Sequence, residues 1–300
     1  MRKILLIGAT GFVGQHIREV LAADMGLELR VTARQPTTVD TQTIPFDFHY
    51  PASWQHILDV APDIIVNAAG YGVVKEQTDL EAMYDVNYRL PVRLIKFLHA
   101  AGQEPFWLQV GTAFEYDLTE ERLHEDSACV PLTHYGMSKY LCSNFLQSTA
   151  NSLPFLILRP FAMFGPYESD SKLLPYLLNA QKMARPIQLS SGKQERDYFY
   201  VRDLACFINY LINNGLHELD GAVLNVGSGH PTSLKDLATS LSKFIPDFRS
   251  EIWKWGEVAQ RANETQVFYN ASTKATQLKL QLTPSSQAFQ ETISYYYQQR

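Results

Sequence analysis

Gly8-Ala9-Thr10-Gly11-Phe12-Val13-Gly14 follows directly on the apolar run Ile4–Ile7, close to the start of a 300-residue chain. Four consecutive apolar residues bounded by glycine read as a strand buried on both faces. The glycines then permit a tight turn into a helix that reaches about Ala23. At such a strand–turn–helix junction the backbone N–H groups of Gly8, Thr10, Gly11, Phe12, Val13 and Gly14 come close to any anion at the helix start. The spacing is GxxGxxG rather than GxGxxG. Its position, after the first strand and opening a strand–helix–strand unit, gives it meaning as a pyrophosphate-binding turn.

Working outward, the alternation continues. Leu29–Ala33 and Asp63–Asn67 read as strands, the second after a punctuating proline. Residues Leu80 to Ala101 have helical period, with Leu90, Leu94, Phe97 and Leu98 on one face. Phe106–Val110 is a further strand, His134–Ala150 a helix and Phe155–Leu158 a strand. This order predicts an α/β fold, a Rossmann-type doubly wound parallel sheet. After Arg159 the rhythm loosens, because Pro160, Gly165, Pro166, Pro175 and Pro186 cut the chain into short pieces. Asp203–Asn213 and Leu234–Phe244 read as helices, Ala222–Val226 as a strand, and Gln287–Gln299 as a helix with an aromatic face. The expected organisation is a dinucleotide-binding domain (1–160 plus about 193–226) and a smaller carboxyl-terminal substrate lobe (about 161–192 plus 227–300).

Composition narrows the class. A hydrophobic content of 46% over 300 residues supports a substantial core. The formal net charge of -5, with no Lys/Arg-rich run, argues against a nucleic-acid partner. No stretch approaches the roughly 18 apolar residues of a membrane span, so no membrane partner is expected. Cys129, Cys142 and Cys206 have no ligand-like spacing and read as reduced packing residues. The eight histidines are scattered, and no metal site is expected. The opening Met1-Arg2-Lys3 and its short apolar run read as a first strand rather than a signal peptide, so the expected location is cytoplasmic.

A dinucleotide site commonly carries an acid about 20 residues beyond the glycines, on the ribose 2′-OH. Here the second strand ends Val31-Thr32-Ala33-Arg34. A carboxylate repels a 2′-phosphate and an arginine binds it, so Arg34 favours NADP, with NAD the alternative.

Tyr135-Gly136-Met137-Ser138-Lys139 sets a phenol and an ammonium four residues apart, on one face of a helix. A free phenol titrates near pH 10, so bringing it to neutrality takes roughly 4 kcal/mol. One cation at about 4 Å supplies on the order of 4 kcal/mol at an effective dielectric of 20, with burial opposing it. Lys139 is therefore expected to lower the Tyr135 pKa. Thr112, just after the strand ending at Val110, offers a hydroxyl to the same substrate oxygen.

Taken together, GATGFVG, Asn67-Ala68-Ala69-Gly70, Gly111-Thr112 ahead of the tyrosine and lysine, and Arg159–Pro166 (RPFAMFGP) resemble the extended short-chain dehydrogenase/reductases, the NAD-dependent epimerase/dehydratase family. The resemblance spans nearly the whole chain. It implies that Thr112, Tyr135 and Lys139 are catalytic, with Lys139 also holding the nicotinamide ribose. It implies that Asp47, with Phe48 beside it, lies at the adenine and that Asn67, Ala68 and Ala69 lie beside the ribose. It further implies that Arg196 binds a sugar nucleotide's diphosphate, that Ala113 and Asn225 line the substrate, and that the chain forms a homodimer, as relatives do, through a face built from the aromatic tail and the helices around Leu80–Ala101 and His134–Ala150.

Departures from the family pattern bear on the reaction. Sugar-nucleotide 4,6-dehydratases of the family carry an Asp-Glu pair directly after the threonine. Ala113 and Phe114 stand there and cannot act as acid or base. Glu115 is one position further on, facing away if the strand continues. Two oxidoreductive readings remain: NADPH-dependent reduction of a nucleotide-activated 4-keto deoxysugar, CDP- or dTDP-linked, and NAD-dependent 4-epimerisation. Arg34 and the stretch GTAFEYD, which resembles a GT-x-FEY signature of deoxysugar reductases, favour the first. Ala162 replaces an asparagine common in the RPFNVYGP motif. A non-enzymatic dinucleotide sensor is disfavoured, because Tyr135 and Lys139 are both present.

Overall fold

A computed structural model describes residues 1–34, 42–149, 153–259 and 265–298. The first strand, β1 (Arg2–Ile7), leads through the glycine turn into α1 (Phe12–Ala22), followed by β2 (Leu27–Ala33) and β3 (Thr43–Pro45). The chain then returns to the other side of β1 and adds β4 (Ile64–Asn67), β5 (Phe106–Val110), β6 (Phe155–Pro160) and β7 (Ala222–Val226). The seven strands pair in parallel in the order β7-β6-β5-β4-β1-β2-β3. Strand order reverses between β1 and β4, so a crevice opens there at the carboxyl ends of the strands.

Period-two alternation along the strands explains the layering. Ile4 and Leu6 of β1 join Ile17 and Leu21 of α1 and Leu204, Phe207 and Ile208 of the helix Val201–Asn213. Leu5 and Ile7 turn the other way, onto Leu94, Ile95 and Leu98 of α2 (Leu90–Ala100) and Leu146 of α3 (His134–Ser148). Ile4, Leu5 and Leu6 have no exposed surface. At about 1.5–3 kcal/mol per buried aliphatic side chain, β1 alone supplies several kcal/mol and fixes where the glycine turn starts.

A third apolar cluster lies outside the sheet. Leu174, Leu177 and Leu178 of the helix Leu173–Lys182 pack with Leu237 and Leu241 of Leu234–Ser242, and with Phe289, Ile293 and Tyr296 of Ser285–Gln298. Phe12 and Val13 of the glycine turn touch this cluster.

Two features differ from the sequence reading. Within the expected helix Leu80–Ala101, the turn Asp85–Arg89 is a wide π-type turn joining Leu80–Tyr84 to α2. The strand Glu195–Tyr200 was hidden by its charged start, yet it is the hub of a second sheet, pairing with Ala162–Phe164, Pro231–Ser233 and Val267–Asn270. Its Asp197 is fully buried and accepts from the N–H groups of Ser228, Gly229 and Asn270. The expected helix ends Ala150 and Gln299 lie outside the described residues. Among the described residues, no helix is long and apolar enough to cross a membrane.

Candidate active site

Close packing of backbone on backbone forms the floor of the crevice. Gly8 has a φ of +84°, and a β-carbon on it would stand 2.5 Å from the Ala69 N and 2.7 Å from the Ala68 carbonyl carbon. A β-carbon on Gly14 would stand 2.0 Å from the Gly8 carbonyl oxygen. These two glycines let the turn after β1 nest against Asn67-Ala68-Ala69 at the end of β4. Gly11 caps α1 without a side-chain acceptor, and no acidic side chain stands in the first turn. The first N–H groups of α1 are thus left for an anion, at the end of the helix whose dipole favours one. Thr10 is exposed beside them, and its carbonyl accepts from the Gln15 Nε2. These residues fit the pyrophosphate of a dinucleotide.

Around that floor, side-chain amides fix the strand ends. The buried Asn67 Nδ2 donates to the Gln109 Oε1 at 3.0 Å, which also accepts from the Trp107 Nε1. Asn67 Oδ1 accepts from the Ala69 N. Arg34 is exposed at the end of β2. Asp47 and Phe48 lie just beyond the neighbouring β3, where the Asp47 Oδ1 accepts from the His49 N and Phe48 packs edge-on to Phe46.

On the other side of the crevice stand Thr112, Tyr135 and Lys139. After β5 the chain does not continue as a strand. It closes a single 3₁₀ turn, Ala113–Glu115, capped by Thr112. The Thr112 Oγ1 accepts from the Phe114 N at 3.3 Å, and the Glu115 Oε1 accepts from the Thr112 N at 3.0 Å. Glu115 is fully buried, and its other oxygen accepts from the Arg159 Nε at 2.9 Å. Arg159, 2% exposed, stacks over Tyr116. Glu115 thus points inward because the chain turns, and its carboxylate is held by a guanidinium in the core. Gly111 makes room for it, since a β-carbon there would stand 2.4 Å from the Glu115 Oε1.

The start of α3 is pressed onto this turn. The Thr133 hydroxyl caps the helix by accepting from the Gly136 N. A β-carbon on Gly136 would lie 2.1 Å from the Phe114 carbonyl oxygen. That approach brings the phenol of Tyr135 to the hydroxyl of Thr112, with which it hydrogen-bonds. Asn87, in the wide turn, ties the same helix to the loop after β4. Its Nδ2 donates to the Ser138 Oγ at 2.9 Å and to the Tyr71 carbonyl, while its Oδ1 accepts from the Tyr71 N.

Electrostatics depart from the expectation for the tyrosine. Burial pushes the Tyr135 phenol up to about 12; the hydrogen bond with Thr112 pulls it down and the charge of Glu115 adds to the rise. The Lys139 ammonium, itself drawn below its ordinary range by burial, donates to the Ala69 carbonyl at 3.4 Å. It therefore faces the floor of the crevice.

The remaining expected residues are engaged within the fold. Ala113 is buried within the turn. Asn225 is fully buried in β7, where its Oδ1 accepts from the Tyr116 hydroxyl at 2.7 Å and its Nδ2 donates to the Leu123 carbonyl. Arg196 stacks on Phe268 and donates to the carbonyls of Glu195, Thr265 and Gln266. Sequence reasoning missed Asn87 and the roles of Gly111, Gly136 and Gln109. Gly136 carried a signal, being a glycine inside a helix, where it costs stability unless something must approach. A lone asparagine such as Asn87 carried none.

Comparison with known proteins agrees with this geometry. Residues 4–227 match the model of a family described as the NAD dependent epimerase/dehydratase family. The CDP-abequose synthase of Salmonella typhimurium is 22% identical over 270 residues, covering 87% of this chain and 87% of that protein. The GDP-6-deoxy-D-mannose reductase of Pseudomonas aeruginosa is 26% identical over 255 residues, covering 80% and 79%. Among solved structures, the UDP-glucuronic acid 4-epimerase of Bacillus cereus, in complex with UDP-glucuronic acid and NAD, superposes with a TM-score of 0.83 at 20% identity over 99% of both chains.

Proposed function

Because the chain belongs to the NAD dependent epimerase/dehydratase family, we propose that it reduces the 4-keto group of a nucleotide-activated deoxysugar, CDP- or dTDP-linked, with NADPH as reductant. The observation that carries this reading is the packing of α3 on the Thr112 turn, which brings the Tyr135 phenol beside the Thr112 hydroxyl, together with the exposed Arg34 at the end of β2. A ketone reductase needs a proton donor at that point, and an arginine at the end of β2, with no acid there, suits the 2′-phosphate of NADPH as a consumed reductant. The names of the CDP-abequose synthase and GDP-6-deoxy-D-mannose reductase relatives support the substrate class.

When bound, NADPH supplies the hydride that reaches the C4 carbon. Gly8, Gly11, Phe12, Val13 and Gly14 would hold its pyrophosphate, Asn67, Ala68, Ala69 and Lys139 the nicotinamide side, Asp47 and Phe48 the adenine, and Arg34 the 2′-phosphate. Tyr135 gives its phenolic proton to the C4 oxygen as charge builds there. Thr112 orients that oxygen through the hydroxyl whose backbone is pinned by Glu115. Elimination of water is disfavoured, because Ala113 and Phe114 have no acid or base and Glu115 is engaged with Arg159. On this reading 1–160 with about 193–226 hold the dinucleotide, and about 161–192 with 227–300 hold the sugar nucleotide, with Arg196 and Asn225 on that side.

The test is a panel of CDP-, dTDP-, GDP- and UDP-linked 4-keto-6-deoxy sugars with NADPH and with NADH, following absorbance and identifying products by NMR. Loss of the ketone with stoichiometric NADPH oxidation is expected. Interconversion of 4-hydroxyl isomers without net cofactor consumption overturns the reading in favour of the epimerase.

A further inference from the structure

Of the four residues Ala113–Tyr116, three are buried to 1% exposure or less, and Phe114 alone turns outward, 38% exposed. Its position is not loose. Its N–H is held by the Thr112 Oγ1, and its carbonyl oxygen is pressed against Gly136. The ring stands edge-on to the Tyr135 ring at 6.2 Å between centroids and edge-on to Phe268 at 5.7 Å. The ring keeps this exposure beside the Tyr135 phenol, and an apolar surface so placed fits an apolar group of a ligand.

We propose that Phe114 is a specificity-determining residue that reads the substituent on the carbon next to the reacting one, selecting a C6 methyl and disfavouring a C6 hydroxyl or carboxylate. This rests on the ketoreductase reading above and deepens it. When Tyr135 is beside the C4 oxygen, the ring carbons flanking C4 must lie within a few ångströms of the phenol, and so beside the Phe114 ring. Of the groups on a 4-keto-6-deoxyhexose, the C6 methyl is the one that loses nothing by leaving water against a phenyl face. A hydroxymethyl group there gives up hydrogen bonds to water with no replacement from the ring, and a carboxylate gives up more. The polar groups near the ring already have partners. The Thr112 hydroxyl accepts from the Phe114 N and bonds Tyr135, Glu115 is turned into the core, and Lys139 donates to Ala69.

The experiment compares kcat/KM for oxidation, with NADP, of a nucleotide-linked 6-deoxyhexose and of the same nucleotide hexose that keeps its C6 hydroxyl, in wild type, Phe114→Leu and Phe114→Ser. An apolar pocket discriminates an added hydroxyl by about 10–100-fold. Wild type is expected to favour the 6-deoxy sugar within that range, Phe114→Leu to retain most of the preference, and Phe114→Ser to bring the ratio to within about threefold of unity. Binding of NADPH, followed by fluorescence, is expected to be the same in all three, which separates lost selectivity from lost folding. A preference unchanged in Phe114→Ser overturns the assignment. If wild type turns over neither sugar, the ketoreductase reading has failed and this inference falls with it.

Discussion

Gly136→Ala is the sharpest perturbation of the arrangement that brings tyrosine to threonine. In an isolated helix the change is favourable by about 1 kcal/mol, because alanine is the better helix former. Here the added methyl would meet the Phe114 carbonyl oxygen at 2.1 Å, which falls 1.3 Å short of the 3.4 Å where ordinary contact begins. The obstacle is backbone, so it cannot swing aside as a side chain would. Either α3 or the Thr112 turn has to retreat by about an ångström. Overpacking of this kind costs about 1–3 kcal/mol, enough to cancel the propensity gain and leave the protein less stable. The larger consequence is catalytic, since a misplacement of about 1 Å between reacting groups costs on the order of 100-fold in rate. The assay is kcat/KM for reduction, with NADPH affinity and melting temperature measured on the same preparation. We expect a rate loss near that magnitude with NADPH binding within a few fold of wild type, because the glycine floor is untouched. A variant that melts higher than wild type and reduces substrate at the normal rate would refute the claim that this contact sets the site.

Three other outcomes follow from the same structure. Arg159→Met strands the Glu115 carboxylate in the core; breaking a buried pair costs about 3–5 kcal/mol, so chemical denaturation should show a loss of that order, and a loss below about 1 kcal/mol contradicts it. Glu168, whose Oε2 is buried without a partner among the described residues, is pushed up to about 8 by burial, so the folded protein keeps a proton that the unfolded chain releases near pH 4.5. Its contribution is present below that pH and is lost as pH rises through about 8, so Glu168→Gln should raise the melting temperature at pH 8–9 and change it little at pH 5. Arg34→Asp should exchange a preference for NADPH over NADH for the reverse, read as the ratio of their dissociation constants; an unmoved ratio removes Arg34 from the 2′-phosphate.

The sheet was legible because its signals are local. β1, β4 and β5 are short apolar runs ended by glycine or asparagine, and the helices between them repeat at the helical period. Beyond Arg159 the strands are three to six residues long, and Glu195–Tyr200 begins with three charged residues. Its pairing depends on partners before and after it in the chain, and Asp197 is buried for the sake of three distant N–H groups. No window of sequence contains that information. In the site, the spacing of tyrosine and lysine was readable, but the balance of forces on them was not. On spacing alone, an ammonium stands against a phenol at contact distance. In the fold Lys139 turns to the Ala69 carbonyl and burial raises the phenol. Glu115 shows the same limit, since its direction depends on whether the chain after Val110 continues as a strand or closes a turn, and the turn is decided by Arg159, 44 residues away.

The most direct measurement on the central claim is the turnover and NADPH affinity of Tyr135→Phe, which removes the proton and little else. The account predicts that reduction of the 4-keto sugar falls to background while the dissociation constant for NADPH stays within a few fold of wild type. Reduction at the wild-type rate would contradict it, because the proton would then have to come from some other group.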